Sequence, residues 1–351
     1  MSVTGWAVVG LDNGGTCNNA TVMDGTGRFL LDHLLETPSL VTQGPADALR
    51  ALVESFGNAL EVTGTPRSTV RAVGLDTPGP ASADGVISSL GATNFIHPQW
   101  HNFDVRAALE TALGLPVVYN NDGNAAALYA HHTRFGTAAD DRSSVAAIVG
   151  TGLGGGVVFN GRVVKGAAGM AGELGHVNIP MAGLLAADQA VPACNCGFSG
   201  DAESVASLTG IERNLLPYWL SRYPTHPLAS EDPHRAAKLV RGYAEDGDPM
   251  SLEIFSQQAQ AIGRLFTIIA NVADPDAYFV GGGVVETEAA FREWFLGQVR
   301  ANTALRDEQR AVAEFALVPD LDMAGARGSA IAAAAGVANV GTTATVAVAG
   351  R

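Results

Sequence analysis

The alternation of apolar and polar positions divides the first part of the chain into short strands and helices. A DGTG turn at residues 24–27 separates two apolar runs and predicts a hairpin. Residues 45–62 carry alanine, leucine and phenylalanine near helical spacing, which predicts an amphipathic helix. The predicted strands are 6–11, 19–23, 29–35, 70–75 and 116–119, and the further helices are 105–113 and 125–132.

The same order of elements returns from residue 143 onwards. An apolar strand at 143–149 leads into a glycine run, a short strand at 157–159, an Asn-Gly turn and a strand at 162–165. This repetition predicts an internally duplicated α/β protein. Later come helices at 203–208, 235–245, 252–271, 291–300 and 324–335, and strands at 278–280 and 315–318.

Glycine-rich turns end three of the predicted strands, at residues 12–16, 150–156 and 281–283. Glycine allows positive φ and lets the backbone bring its N–H groups near an anion, so these turns suit phosphate oxygens. A hairpin without any ligand is the alternative interpretation of such a turn.

Acidic residues stand where strands or turns meet helices. Asp122 follows a strand and precedes a predicted helix, where an N-cap carboxylate is common. Glu173 and His176 lie three residues apart after the second glycine run, and Glu203 begins a helix. Three of these four residues have a structural alternative, which is a helix cap for Asp122, a packed histidine for His176 and an ordinary first-turn acid for Glu203.

The composition is that of a well-buried globular protein, with 47% hydrophobic and 16% charged residues. A length of 351 residues exceeds a single core and predicts two lobes. The formal charge of −14 argues against nucleic acid as a partner. No apolar run is long enough for a membrane span and residues 1–6 do not resemble a secretory signal, so we expect a cytoplasmic protein with reduced cysteines.

Several motifs that occur in one order resemble the ROK family (repressors, open reading frames and kinases), sugar kinases of the hexokinase and actin-like ATPase fold. The motifs are DNGGT at 12–16, NDGNA at 121–125, GTGLGGG at 150–156, GELGH at 172–176, CNCG at 194–197 and GGG at 281–283. Several spaced motifs together are far more specific than any one of them. The resemblance covers residues 6–335, nearly the whole chain.

The resemblance implies a two-lobed actin-like ATPase (ribonuclease H-like) fold with duplicated strand-hairpin-helix halves and a central cleft for ATP and sugar. We expect a small lobe from residues 1–121, to which a helix at about 324–336 returns, and a large lobe from 122–323. Residues 337–351 are expected to form a flexible tail. A homodimer, usual in the family, is also expected.

The resemblance makes Asp122 the general base that takes the proton from the attacking sugar hydroxyl. It places Asp12 near Mg²⁺ through water, with a turn-capping role as the alternative. The residues implied to bind ATP are Asp12, Gly14, Gly15, Thr16, Gly150, Thr151, Gly152, Gly282 and Gly283. The residues implied to bind sugar hydroxyls are Asn94, Asp122, Glu173, His176 and Glu203.

The chain departs from the zinc motif of the family, in which a histidine and three cysteines hold the metal. Asp201 stands in place of the third cysteine, beside His176, Cys194 and Cys196. A carboxylate oxygen can complete a tetrahedron, so bound Zn²⁺ is one interpretation and two reduced thiols in a loop are the other. The segment at 94–100 is also longer than usual, and because it borders the sugar pocket in the family, it bears on the choice of sugar.

Our leading hypothesis is an ATP-dependent kinase that phosphorylates a primary hydroxyl of a hexose or hexose-like polyol. Glucose is the default substrate, and fructose, an amino sugar or a C7 cyclitol stays open. A sugar-responsive repressor is disfavoured because only residues 1–5 precede the first predicted strand, too few for a DNA-binding domain. A sugar-binding regulatory protein without catalysis remains the alternative.

Overall fold

Two sheets organise the residues that the computed structural model describes, which are 5–79, 81–87 and 94–348. The strands are β1 (Ala7–Asn13), β2 (Cys17–Asp24), β3 (Glu36–Pro38), β4 (Val70–Thr77), β5 (Val117–Asn121), β6 (Ser144–Val149), β7 (Leu153–Phe159), β8 (Arg162–Val163), β9 (Ala277–Gly282) and β10 (Glu314–Leu317). The α-helices are α1 (Pro45–Thr63), α2 (Val105–Leu113), α3 (Asp122–Phe135), α4 (Glu203–Ala206), α5 (Leu208–Gly210), α6 (Leu216–Arg222), α7 (Pro233–Glu245), α8 (Pro249–Ala273), α9 (Ala289–Ala301), α10 (Asp307–Arg310) and α11 (Leu321–Val348).

The first sheet has the strand order β3-β2-β1-β4-β5. Strand β2 is antiparallel to β1, whereas β4 and β5 continue the sheet in parallel. Strand β1 is apolar at successive positions because both of its faces are covered. Val9 packs with α1 residues on one face, and Val8 packs with Ala330 of α11 on the other.

The second sheet repeats this plan. Strands β10, β9, β6 and β7 lie side by side in that order, with β7 antiparallel to β6 and both β9 and β10 parallel to it. The order and directions therefore match those of β5, β4, β1 and β2, so the predicted duplication of an α/β unit is confirmed.

Helix α8 is the longest element that packs beside the second sheet. It begins after Asp248, whose side chain caps the helix by accepting a hydrogen bond from Ser251 N at 2.8 Å, and Pro249 occupies its first turn. Its buried side chains, Phe266 among them, belong to one apolar cluster with Tyr278 of β9. The predicted helix at 252–271 is thus confirmed and extended at both ends.

Small residues let α11 lie directly against the first sheet. A Cβ atom at Gly10 would stand 1.9 Å from the carbonyl oxygen of Ala326, and one at Gly74 would stand 1.9 Å from that of Ser329. The backbone of α11 therefore contacts the backbones of β1 and β4 where the helix crosses these strands. Helix α11 reaches Val348, well beyond the predicted end at residue 335.

The strand predicted at residues 29–35 is wrong. Phe29 forms only an isolated bridge with Met23, and the edge strand is β3 instead. The apolar side chains of this segment pack in different directions, since Phe29 joins the α11 side while Leu30 and Leu35 join the α1 side. The run is apolar because it touches two cores, not because it pairs as a strand.

Two boundaries near the predicted site also differ. Strand β7 begins at Leu153, so the glycines at 154–156 lie within a strand rather than in a turn. Helix α3 begins at Asp122, three residues earlier than predicted, with Asn121 rather than Asp122 as its N-cap. The sequence predicted a turn over these glycines because glycine is unusual inside strands.

The chain divides into two compact units. The first consists of Met1–Gly136, Arg162–Ala171 and Pro319–Arg351, and the second consists of Thr137–Gly161 and Gly172–Val318. Among the described residues, no helix has the length and apolar character that crossing a membrane requires.

Candidate active site

In the first unit, the turn between β1 and β2 carries the predicted phosphate-binding residues Gly14, Gly15 and Thr16. Gly14 N donates to Cys17 O at 3.0 Å and closes the turn. A Cβ atom at Gly15 would stand 1.9 Å from Nδ2 of Asn94, so a side chain at residue 15 would require the Asn94 side chain to move. The structure therefore brings a predicted sugar-binding residue, Asn94, against the predicted phosphate turn.

The segment that follows Asn94 is fixed at its far end. Trp100 is almost fully buried, and its indole N–H donates to the carbonyl oxygen of Val41 at 2.8 Å. Phe95 is buried against the Trp100 ring, whereas Ile96 is exposed. The longer segment thus presents an anchored loop rather than a free one.

Asp12 lies at the end of β1, where it is half-buried. Asn19 Nδ2 donates to its Oδ2 at 3.1 Å, and burial raises the pKa of the Asp12 carboxyl. Gly325 of α11 passes so close that a Cβ atom there would stand 2.9 Å from the Asp12 carboxyl carbon. A carboxylate held in this way can accept hydrogen bonds from the water shell of a cation, which fits the role implied for Mg²⁺.

Asp76 is a residue that the sequence reasoning missed. It is the last residue but one of β4 and pairs with Asp12 of β1. It is fully buried, and Ser329 Oγ donates to its Oδ2 at 2.7 Å. Burial first, and then the negative charge of Asp12, raise the pKa of Asp76 well above its ordinary value. The only local signal was an aspartate near the end of an apolar strand, because the pairing of that strand with the Asp12 strand is set by the fold.

Asp122 stands where β5 passes into α3. Gly123 N donates to Asp122 Oδ1 at 2.6 Å and to the N-cap oxygen of Asn121 at 3.0 Å. The first turn of a helix favours negative charge, which suits a carboxylate at this position. A carboxylate within reach of a hydroxyl can act as its general base.

In the second unit, a tight turn at residues 150–152 joins β6 to β7. Gly150 N donates to Gly152 O at 2.9 Å, and the carbonyl of Gly150 accepts from Leu208 N at 3.0 Å. Thr209 donates to the carbonyl of Thr151 through both its amide, at 3.2 Å, and its hydroxyl, at 2.8 Å. These hydrogen bonds hold the turn at 150–152 in place. Nothing in the sequence indicated that Thr209 would contact Thr151.

Gly282 is the last residue of β9, the parallel neighbour of β6, and Gly283 follows it. Gly282 pairs with Val149 and has φ of 94°, and a Cβ atom there would stand 2.0 Å from the Val149 carbonyl oxygen. Two groups of residues implied to bind ATP, at 150–152 and at 282–283, therefore sit on neighbouring strand ends of one sheet. Carboxyl ends of parallel strands are where such sheets bind ligands.

The predicted sugar-binding residues of this unit, Glu173, His176 and Glu203, lie on two neighbouring segments. Glu173 immediately precedes the 3₁₀ turn Leu174–His176, and Glu203 is the first residue of α4. Burial raises the pKa of Glu173, and the negative charge of Glu203 adds to this effect while His176 opposes it. Glu203 Oε2 accepts from Leu153 N at 2.9 Å, which ties a predicted sugar ligand to the end of the turn at 150–152.

His176, Cys194, Cys196 and Asp201 form a cluster whose ligand atoms all lie within 4.8 Å of one another. Asp201 Oδ2 stands 3.5 Å from both His176 Nδ1 and Cys196 Sγ, and Cys194 Sγ stands 3.8 Å from His176 Nδ1. One imidazole, two sulfurs and one carboxylate in this spacing fit a tetrahedral Zn²⁺ site. The aspartate therefore takes the place expected for a third cysteine.

The sequence pattern that defines the ROK family matches residues 8–335 of this chain. The chain belongs to the ROK family. Its α/β fold is accordingly that of the actin-like ATPases, as the resemblance predicted.

Curated ROK-family relatives include kinases with different sugars. A glucokinase of Halalkalibacterium halodurans is 31% identical over 79% of this chain and 80% of its own length. An N-acetylmannosamine kinase of Salmonella typhi is 31% identical over 83% of this chain and 86% of its own length.

Solved ROK structures match nearly the whole chain. A ROK hexokinase from Thermus thermophilus has a TM-score of 0.74 and 31% identity, over 95% of this chain and 99% of that chain. A ROK family glucokinase from Streptomyces griseus, solved with glucose and AMPPNP, has a TM-score of 0.65 and 29% identity, over 93% and 99% of the two chains.

Proposed function

We propose that this protein transfers the γ-phosphoryl group of ATP to a primary hydroxyl of a hexose or hexose-like polyol, with glucose as the first candidate. The observation that carries the proposal is the position of Asp122, a carboxylate at the joint between β5 and the first turn of α3. The chain is an ATP-dependent sugar kinase, as its family membership and the kinases among its relatives indicate.

Several of the predicted site residues have a defined task in this reaction. Asp122 accepts the proton of the attacking hydroxyl, which makes the oxygen a nucleophile as the bond to phosphorus forms. Gly14 N and Gly150 N close their own turns, so the amides that would be offered to phosphate oxygens are those of Gly15 and Thr16 and those of Thr151 and Gly152. Mg²⁺, near Asp12, would neutralise charge on the phosphates when it is bound with ATP.

The sugar would be held by Asn94, Asp122, Glu173, His176 and Glu203. Carboxylates and an imidazole accept and donate in fixed directions, so they select a polyol by the placement of its hydroxyls. Glucose is the first candidate because glucokinases are found both among the relatives by sequence and among the similar solved structures. An amino sugar is the second, supported by the N-acetylmannosamine kinase, and fructose and a C7 cyclitol complete the set.

The decisive experiment mixes the purified chain with ATP, Mg²⁺ and one sugar at a time, and measures ADP release. The panel contains glucose, mannose, fructose, the N-acetylated hexosamines and C7 cyclitols. We expect turnover with one or two members, and loss of turnover by at least ~10³-fold in Asp122→Ala with sugar binding largely kept. Sugar binding without ADP release in the wild type would favour the non-catalytic regulatory alternative, and near-normal turnover of Asp122→Ala would refute the base.

The same proposal includes the zinc site at His176, Cys194, Cys196 and Asp201, a homodimer, and a cytoplasmic location. The zinc site rests on the spacing of its four ligand atoms. The dimer and the location rest on the family resemblance and composition alone, and sedimentation of the purified chain tests the first of them.

A further inference from the structure

Asn214 lies within a π-helical turn, Ile211–Leu215, that leads directly into α6. Such turns are rare and often occur at functional sites. Both polar atoms of the Asn214 side chain are hydrogen-bonded. Nδ2 donates to the carbonyl oxygens of Ala193, at 3.0 Å, and of Ser204, at 2.8 Å, and Oδ1 accepts from Ala193 N at 3.3 Å. One amide therefore joins two separate backbone segments.

The contact with Ser204 replaces a missing helical hydrogen bond. Leu208 N, four residues after Ser204, donates to the carbonyl oxygen of Gly150 instead of continuing α4. The last carbonyl groups of a helix need partners from elsewhere, and Asn214 supplies one for Ser204. Because Ser204 follows Glu203 directly in this four-residue helix, the hydrogen bond also limits the movement of Glu203.

The contact with Ala193 holds the segment that carries Cys194. The two hydrogen bonds between the Asn214 amide and the Ala193 backbone match those of a hydrogen-bonded residue pair in a sheet. Cys194 Sγ in turn donates to Glu203 Oε1 at 3.5 Å. The Glu203 carboxylate is therefore reached from both segments that Asn214 joins, through its own helix and through Cys194.

We propose that Asn214 is a positioning residue for the sugar site, because it fixes the two segments that set the place of the Glu203 carboxylate. This inference rests on the proposed function, in which Glu203 holds the sugar. The turn at 150–152, implied to bind ATP, has separate hydrogen bonds from Leu208 and Thr209. Loss of the Asn214 amide should therefore weaken sugar binding and not ATP binding.

Steady-state kinetics of the full chain, with sugar and ATP varied in turn, test the proposal. The sugar is the one that gives the fastest ADP release in the wild type. Asn214→Ala should raise the KM for sugar about tenfold and leave the KM for ATP unchanged. Asn214→Asp keeps the shape and the acceptor but has no N–H for either carbonyl, so it should be impaired at least as much.

Arg213→Ala is the matched control. Arg213 lies in the same turn and its Nη1 donates to the Asn195 side chain, so its loss loosens the same loop but leaves the hydrogen bond to Ser204 in place. It should leave both KM values unchanged. A cycle with Glu203→Ala then tests the route, since Asn214→Ala should add little further loss of kcat/KM in the Glu203→Ala background.

The inference is overturned by a wild-type KM for sugar in both Asn214 variants, or by an equal rise of the KM for sugar and for ATP, which would indicate a general disruption of the unit. An Arg213→Ala variant as impaired as Asn214→Ala, or independent losses in the cycle with Glu203→Ala, would also overturn it. These outcomes leave the kinase activity of the wild type intact. A wild-type chain that releases no ADP with any sugar overturns the proposed function, and this inference with it.

Discussion

The carboxyl groups of Asp12 and Asp76 are direct neighbours on two parallel strands, and they face the same side of the first sheet. They form a register pair between β1 and β4, and Ser329 and Asn19 each donate one hydrogen bond to the pair. Among the described residues, Asp76 Oδ1 has no donor. Burial raises the pKa of both groups, and the charge of Asp12 adds to this for Asp76, so the pair holds a shared proton more tightly than two separate carboxyls would.

The first prediction concerns the pH dependence of stability. Because the native pKa of Asp76 lies above its unfolded value, the native state binds the proton more tightly than the unfolded chain. Protonation of Asp76 therefore adds to the free energy of unfolding. This added stability is fully present below the unfolded pKa of about 3.9 and is lost as the pH rises through the native pKa. Asp76→Asn has the same shape and no charge, so we expect it to be more stable than the wild type by about 1–3 kcal/mol near pH 8.

Urea unfolding of both proteins at several pH values measures this difference, which should shrink steadily towards pH ~4. Glu253→Gln, on the exposed face of α8, removes the same charge and serves as the control. A gain in stability that is equal at all pH values would contradict the shared proton. So would an Asn variant that is less stable at high pH.

Local patterns were enough to predict most of the fold. Helices α1 and α2 were recognised because the spacing of apolar residues is a signal within one short segment. The duplication was visible because the same order of strand, glycine turn and hairpin occurs twice. The error at residues 29–35 arose because an apolar run does not reveal that its side chains belong to two separate cores.

The candidate site was predictable where a motif marks it and not where it depends on contacts distant in sequence. Gly15, Asp122 and Cys194 stand in motifs, whereas Asp76 acquires its meaning only from the pairing of β4 with β1. Thr209 likewise supports Thr151 from 58 residues away. Such partners are set by the tertiary fold, which no local spacing records.

A second prediction uses two glycines with opposite surroundings. Gly74→Ala should lower the free energy of unfolding by more than ~2 kcal/mol, because a Cβ atom there would stand 1.9 Å from the Ser329 carbonyl and push α11 from the sheet. Gly57 lies within α1 with nothing near its Cβ position, so Gly57→Ala should stabilise by about 0.5–1 kcal/mol. Chemical denaturation of both variants tests the pair, and a tolerated Gly74→Ala would mean that α11 does not pack as described.

A third prediction concerns metal. Burial, and then the Asp201 carboxylate, raise the pKa of the Cys194 thiol, so without a metal it stays protonated. We expect one Zn²⁺ per chain by elemental analysis, and a loss of that zinc and of thermal stability in Cys194→Ser. Asp201→Cys should retain zinc, because it supplies a thiolate at the same position. Purified wild-type protein without zinc, after expression with added zinc, would favour the reduced-thiol interpretation.

The last prediction tests whether Glu203 links the predicted sugar site to the turn at 150–152. A Cβ atom at Gly152 would stand 2.6 Å from Glu203 Oε2, the oxygen that accepts from Leu153 N. Gly152→Ala should therefore displace the Glu203 carboxylate, raise the KM for sugar and lower kcat, each by about tenfold. Gly154→Ala is the control, since nothing lies within 4 Å of its Cβ position.

Glu203→Ala removes both the carboxylate and the clash, which makes the two changes interdependent. If Gly152→Ala acts through Glu203, it should add little further loss in the Glu203→Ala background, whereas independent changes would multiply their effects on kcat/KM. The cycle of the two single variants and the double variant measures this coupling directly. If the losses in kcat/KM multiply fully, the added methyl group at residue 152 does not act through Glu203.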